Sequence, residues 1–113
     1  MSGYEPDAGD LIWTDFDPTV GREQSGRRPA LVLSPVAFYR ASHFVIVCPI
    51  TSRARPFGTS ALLPPGLPVA GEVLTSHVRS IDTQARPILP VGTAVPPAVL
   101  AEARAKVAAL IGL

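Results

Sequence analysis

Two short polar segments hold most of the side chains suited to gripping a phosphate. The first runs from Pro18 to Arg28, carries Glu23, Gln24 and the pair Arg27-Arg28, and feeds into the apolar run Pro29-Ala30-Leu31-Val32-Leu33. The second, Thr51-Ser52-Arg53-Ala54-Arg55-Pro56-Phe57, follows the most apolar stretch in the chain, Phe44 to Ile50. Guanidinium groups present forked donors that match phosphate oxygens, and hydroxyls orient the same group. On loops held by a rigid sheet, both suit a nucleic-acid backbone. Each arginine taken singly reads first as a solvated surface residue.

Other chemistries are poorly served. The sequence has no phosphate-cradling glycine loop, no paired Cys or His at metal spacing, and no Gly-x-Ser-x-Gly turn. His43 and His77 alone cannot build a metal site. Asp15 and Asp17 stand two apart on one face of a strand or its end, read most simply as solvated, and a two-metal nuclease would want further carboxylates. No metal or cofactor is therefore expected. Cys48 is the only cysteine, which excludes an internal disulfide, and its place inside Phe-Val-Ile-Val-Cys-Pro-Ile reads as core packing.

Charge is unevenly spread. Before residue 27 lie six acids (Glu5, Asp7, Asp10, Asp15, Asp17, Glu23) and one base, Arg22, whereas residues 27 to 86 hold seven arginines against Glu72 and Asp82. Arginine outnumbers lysine nine to one, which suits bidentate phosphate contacts and equally suits a GC-rich genome.

The elements that must position these loops are short. A chain of 113 residues forms one domain over 1–113 and buries roughly two thirds of its unfolded surface. Six β-type runs are predicted, at Asp10 to Asp15, Ala30 to Ser34, Phe44 to Ile50, Thr59 to Leu63, Gly71 to Thr75 and Val78 to Ile81, with the thirteen prolines between them or at their ends. Pro35 to Ser42 has room for one irregular turn. From Pro96 onward Leu100, Ala103, Val107, Leu110 and Ile111 share one face at helical spacing, with Glu102 and Lys106 as an i, i+4 pair. The architecture expected is β-dominated α+β, a small bent barrel with a C-terminal amphipathic helix on its flank. Hydrophobic residues make up 47% and charged residues 17%, a surplus that points to a buried subunit interface. No apolar run approaches the length of a bilayer span, and the acidic start lacks the features of a signal peptide, so a cytoplasmic location is expected.

At this point the residues carry a family resemblance. Gly9-Asp10-Leu11-Ile12-Trp13, Asp15-Phe16-Asp17-Pro18-Thr19, Gly21, Glu23-Gln24, Gly26 and Arg28-Pro29-Ala30-Leu31-Val32-Leu33-Ser34-Pro35 resemble the opening signature of MazF/PemK-type toxins. Cys48-Pro49-Ile50-Thr51-Ser52 is similar to that family's second motif and Val78-Arg79-Ser80-Ile81-Asp82 to its third. The resemblance implies an SH3-like barrel of the CcdB/PemK kind and a homodimer. It further implies a sequence-specific, metal-independent interferase that cuts single-stranded messenger RNA, and a cognate antitoxin of the MazE type. It carries the catalytic roles onto Arg28 and Thr51. Around them, Phe16, Glu23, Gln24, Arg27, Ser52, Arg53, Arg55 and His77 are expected to bind RNA. This chain departs from the family pattern at His77, where glutamine is common, and in the short loop from Thr51 to Phe57. A lone histidine in a strand reads first as structural, with proton transfer as the alternative. The rival class is a non-enzymatic CcdB-like toxin that binds a topoisomerase and has no use for Arg28 and Thr51.

Overall fold

In the computed structural model, residues 3–16, 27–52 and 58–113 are described. Seven strands and two α-helices follow one another as β1 (Asp10–Thr14), β2 (Arg28–Val32), α1 (Val36–Ser42), β3 (Phe44–Thr51), β4 (Ala61–Leu62), β5 (Glu72–Val73), β6 (Arg79–Asp82), β7 (Ile88–Ala94) and α2 (Pro97–Leu110). The strands make one antiparallel sheet in the order β4-β5-β3-β2-β1-β7, with β6 also paired to β3. The expected β-dominated, barrel-like architecture with a C-terminal helix is what the chain adopts.

The centre of the sheet is buried on both faces. Neighbouring residues of β1 enter different cores: Leu11 joins Leu31, Cys48 and Ile50, whereas Ile12 joins Ala30, Val32, Val45, Val47 and Ile81. Because successive side chains of a strand point to opposite faces, a strand covered on both sides must be apolar without alternation. That is why Ala30 to Leu33 and Val45 to Ile50 read as near-continuous hydrophobic runs.

Helix α2 covers the first of these cores. It buries Val99 and Ala103, with Leu100 and Val107 packed at the margin, and burial of Val99 alone contributes about 1.5–3 kcal/mol. Leu110 and Ile111, expected on the buried face, are instead exposed, since the helix ends at Leu110 and Ile111 only caps it. Arg104 fastens the helix by donating two hydrogen bonds to the Leu33 carbonyl, at 3.1 and 2.6 Å. No helix among the described residues is long and apolar enough to cross a membrane.

Strand β3 is the pivot. One edge pairs with β2, while the other pairs with β6 along Phe44 to Val47 and with β5 at Ile50 and Thr51. Pro49, which has no N–H to give, lies where that second edge changes partner, and its carbonyl accepts the Leu74 N–H at 2.8 Å. A proline is tolerated in a strand where no ladder donor is required of it.

Candidate active site

The register of the sheet brings the two loop ends together. In the β2–β3 ladder Val32 faces Val47, Leu31 faces Cys48 and Ala30 faces Pro49. Arg28 opens β2 two residues before Ala30 and Thr51 closes β3 two residues after Pro49, so both stand at the same end of this ladder. Both side chains line a cavity of about 560 Å³, together with Phe16, Pro49, Ile50, Leu74, His77 and Arg79.

Each wall has a structural reason. Phe16 follows β1 and packs against the core that holds Ile12 and Ala30. The Arg79 guanidinium lies 5.4 Å from the centre of the Phe16 ring, within the range of a cation–π contact. Arg79 heads β6 and is opposite Val47. Thr51 is half-buried and paired with Glu72 on β5, and the backbones there are in very close contact. A Cβ at Gly71, whose φ is +130°, would sit 2.0 Å from the Thr51 carbonyl oxygen, so only glycine lets β5 reach this position.

Behind Thr51, a polar network ties the small β4–β5 hairpin to the helix. Glu72 is 1% exposed, and its carboxylate accepts the Ser60 hydroxyl at 2.5 Å. Lys106 of α2 donates to the Ser60 carbonyl at 2.7 Å and to Glu102 at 2.8 Å. Among the described residues, no group of three His, Cys, Asp or Glu side chains is gathered as a metal ion would need.

Comparison with known proteins gives the fold and the cavity their context. Residues 7–111 match the family described as PemK-like, MazF-like toxin of type II toxin-antitoxin system. The chain belongs to this toxin family. It is 41% identical over 112 residues to the endoribonuclease toxin MazF of Escherichia coli (strain K12), covering 99% of both chains. The crystal structure of MazF from Deinococcus radiodurans superposes with a TM-score of 0.87 at 45% identity, over 97% of this chain and 99% of that one. A MazE-MazF complex from the same organism matches with a TM-score of 0.84 at 42% identity, over 97% and 98% of the two chains.

Within this MazF-like frame, the residues expected from sequence divide into three groups. Arg28, Thr51, Phe16 and His77 line the common cavity. Arg27 and Ser52 are exposed beside it but do not line it. Glu23, Gln24, Arg53 and Arg55 lie outside the described residues. His77 corrects an expectation, since it belongs to no strand and is not a packing residue. It closes a 3-10 turn, Thr75–His77, and is exposed. Arg79 was not expected at the site. Its signal was its place in the third family-like motif, but only the pairing of β6 with β3 shows that this arginine shares a wall with Arg28. Cys48 is buried in the core, and burial pushes its thiol up to about 12, which leaves it inert as a nucleophile at neutral pH.

Proposed function

We propose that this chain is a sequence-specific, metal-independent endoribonuclease acting on single-stranded messenger RNA in the cytoplasm, and the toxin half of a toxin–antitoxin pair. The observation that carries the reading is that Arg28, at the start of β2, and Thr51, at the end of β3, line one open cavity. Family membership supports the toxin role, and the relatives named endoribonucleases support the reaction. The MazE-MazF complexes of Deinococcus radiodurans support a cognate antitoxin of the MazE type. Exposed Leu62, Leu89, Leu110 and Ile111 suit a homodimer interface.

In such cleavage the substrate's own 2′-hydroxyl attacks the adjacent phosphorus in line, leaving a 2′,3′-cyclic phosphate and a 5′-hydroxyl. Arg28 binds the charge that develops on the phosphate oxygens, and Thr51 orients the phosphate or the attacking hydroxyl. Phe16 and Arg79 offer a base a stacking surface beside that phosphate. Incubating the pure protein with single-stranded RNA under chelator tests the reading. Cutting should persist, and a strand with one 2′-deoxy sugar on the 5′ side of the cut should resist. Cutting of the deoxy strand at the normal rate, or no cutting at all, would overturn it.

A further inference from the structure

We propose that Glu72 is a positioning residue for the cleavage reaction: its buried carboxyl group, joined to Ser60, fixes where β5 holds Thr51. The inference rests on the endoribonuclease reading and deepens it by naming what aligns Thr51. A carboxyl group taken out of water must have hydrogen bonds in place of its solvation. Glu72 and Ser60 are both buried, and the Ser60 hydroxyl donates to the Glu72 Oε1 at 2.5 Å. Neither residue lines the cavity that holds Arg28 and Thr51, so the pair acts on the reaction only through its neighbours.

Those neighbours are defined by the sheet. Glu72 is the direct partner of Thr51 in the β3–β5 ladder and of Leu62 in the β4–β5 ladder. Directly paired residues share a face of the sheet with their Cβ atoms about 5 Å apart, which puts the Glu72 side chain beside that of Thr51. Strands β4 and β5 have two residues each, too few for a hairpin to hold its own position. Ala61 and Val73 anchor it in the core around Leu11, but apolar burial is non-directional and leaves a short ribbon free to slide or rotate. A hydroxyl–carboxyl bond has a required length and angle, and here it removes that freedom at the residue paired with Thr51.

The link continues past Ser60 into the rest of the fold. Lys106 of α2 donates to the Ser60 carbonyl at 2.7 Å and is held at 2.8 Å by Glu102, one turn earlier in the helix. The Thr75 hydroxyl donates to the Thr59 carbonyl, and the Leu63 N–H donates to the Gly71 carbonyl at 2.9 Å. Thr59 and Ser60 are thereby tied to the turn after β5 and to α2, which makes Ser60 a fixed point against which Glu72 is set. Gly71 lies against the Thr51 carbonyl, so the setting of β5 passes to Thr51 through backbone in direct contact.

The test measures single-turnover cutting of a short RNA with a mapped site by the full-length protein, Ser60→Ala and Glu72→Met, each also in a Thr51→Ala background, with thermal unfolding of every variant. Ser60→Ala and Glu72→Met should each lower the maximal rate about tenfold and leave the RNA concentration for half-maximal rate unchanged, because a small misplacement costs rate rather than affinity. Glu72→Gln keeps an oxygen for the Ser60 hydroxyl and should hold its rate well above that of Glu72→Met. In the Thr51→Ala background neither change should lower the residual rate by more than about twofold, since residues that act through one another are not additive. A loss that persists undiminished in that background would show that the pair acts elsewhere and would overturn the proposal. So would a folded Ser60→Ala protein with the unaltered rate, or equal rates for Glu72→Gln and Glu72→Met. Ser60→Ala removes a single oxygen and keeps the test open should Glu72→Met fail to fold. Failure of the unaltered protein to cut any RNA would sink the underlying reading, and the positioning role with it.

Discussion

Gly71 offers a sharp test of how the site is built. Replacing it with alanine introduces a Cβ 2.0 Å from the Thr51 carbonyl oxygen, 2.8 Å from its carbon and 3.1 Å from the Ser52 Cα. The first contact lies roughly an ångström or more inside van der Waals distance, and every listener to that clash is backbone, so no side chain can swing away. The conformation adds its own cost, since a φ of +130° is strained for alanine by about 1–3 kcal/mol. Gly66 provides the control. Its φ is +96°, but a Cβ there meets nothing within 4 Å, so Gly66→Ala carries the conformational cost without the collision. Both variants should therefore lose stability by about 1–3 kcal/mol from conformation, and Gly71→Ala should lose more. Relief of the collision requires β5 to move off Thr51 or Thr51 to shift by about 1 Å, and a displacement of that size near reacting atoms costs about a hundredfold in rate. Thermal unfolding and RNA cleavage measured on both variants separate the effects. Equal stability and equal activity for Gly71→Ala and Gly66→Ala would refute the claim that glycine at 71 seats the Thr51 strand.

Two further predictions concern the reaction and the core. Arg28→Ala and Thr51→Ala should each lower cleavage by about a hundredfold or more while unfolding normally, because Arg28 is exposed and Thr51 ends its strand; near-normal cutting by either folded variant removes that residue from the mechanism. Burial raises the Cys48 thiol from its ordinary 9.0 to about 12, so the unfolded chain releases this proton first. Its contribution is complete below pH 9 and declines as pH climbs toward 12, by on the order of 4 kcal/mol over the whole range. Urea unfolding across alkaline pH should show a shallower loss for Cys48→Ala than for the unaltered chain, and identical slopes would contradict the assignment.

The central strands were legible because each is a long apolar run, and β3 was expected within one residue of its observed end. Strand β2 begins two residues before its expected start, since Arg28 and Pro29 pair with Thr14 and Trp13 of β1, a contact that polarity alone hides. Strand β7 was not expected. Pro87 stands just before it and Pro90 and Gly92 interrupt it, and such residues are tolerated because β7 lies on the sheet edge beside β1. The seven-residue helix α1 took the place of an irregular turn, closed by His43 at a φ of 63°, a left-handed backbone that apolar periodicity does not reveal. That Arg28 and Thr51 are the residues to examine was legible through family resemblance. Their meeting was not, because it depends on strand register, and Arg79 was missed because its neighbour across the ladder, Val47, is distant in sequence.

The pairing of the first strand with the last bears on how the chain is made. Arg28 and Thr51 both emerge from the ribosome in the first half of synthesis. Strand β7, which covers the free edge of β1, and Val95, Val99 and Ala103, which cover the core around Leu11 and Leu31, come last. A nascent or prematurely ended product thus carries Arg28 and Thr51 without the frame that aligns them. It exposes an open strand edge and apolar surface, the features that mark a chain for chaperones and proteases.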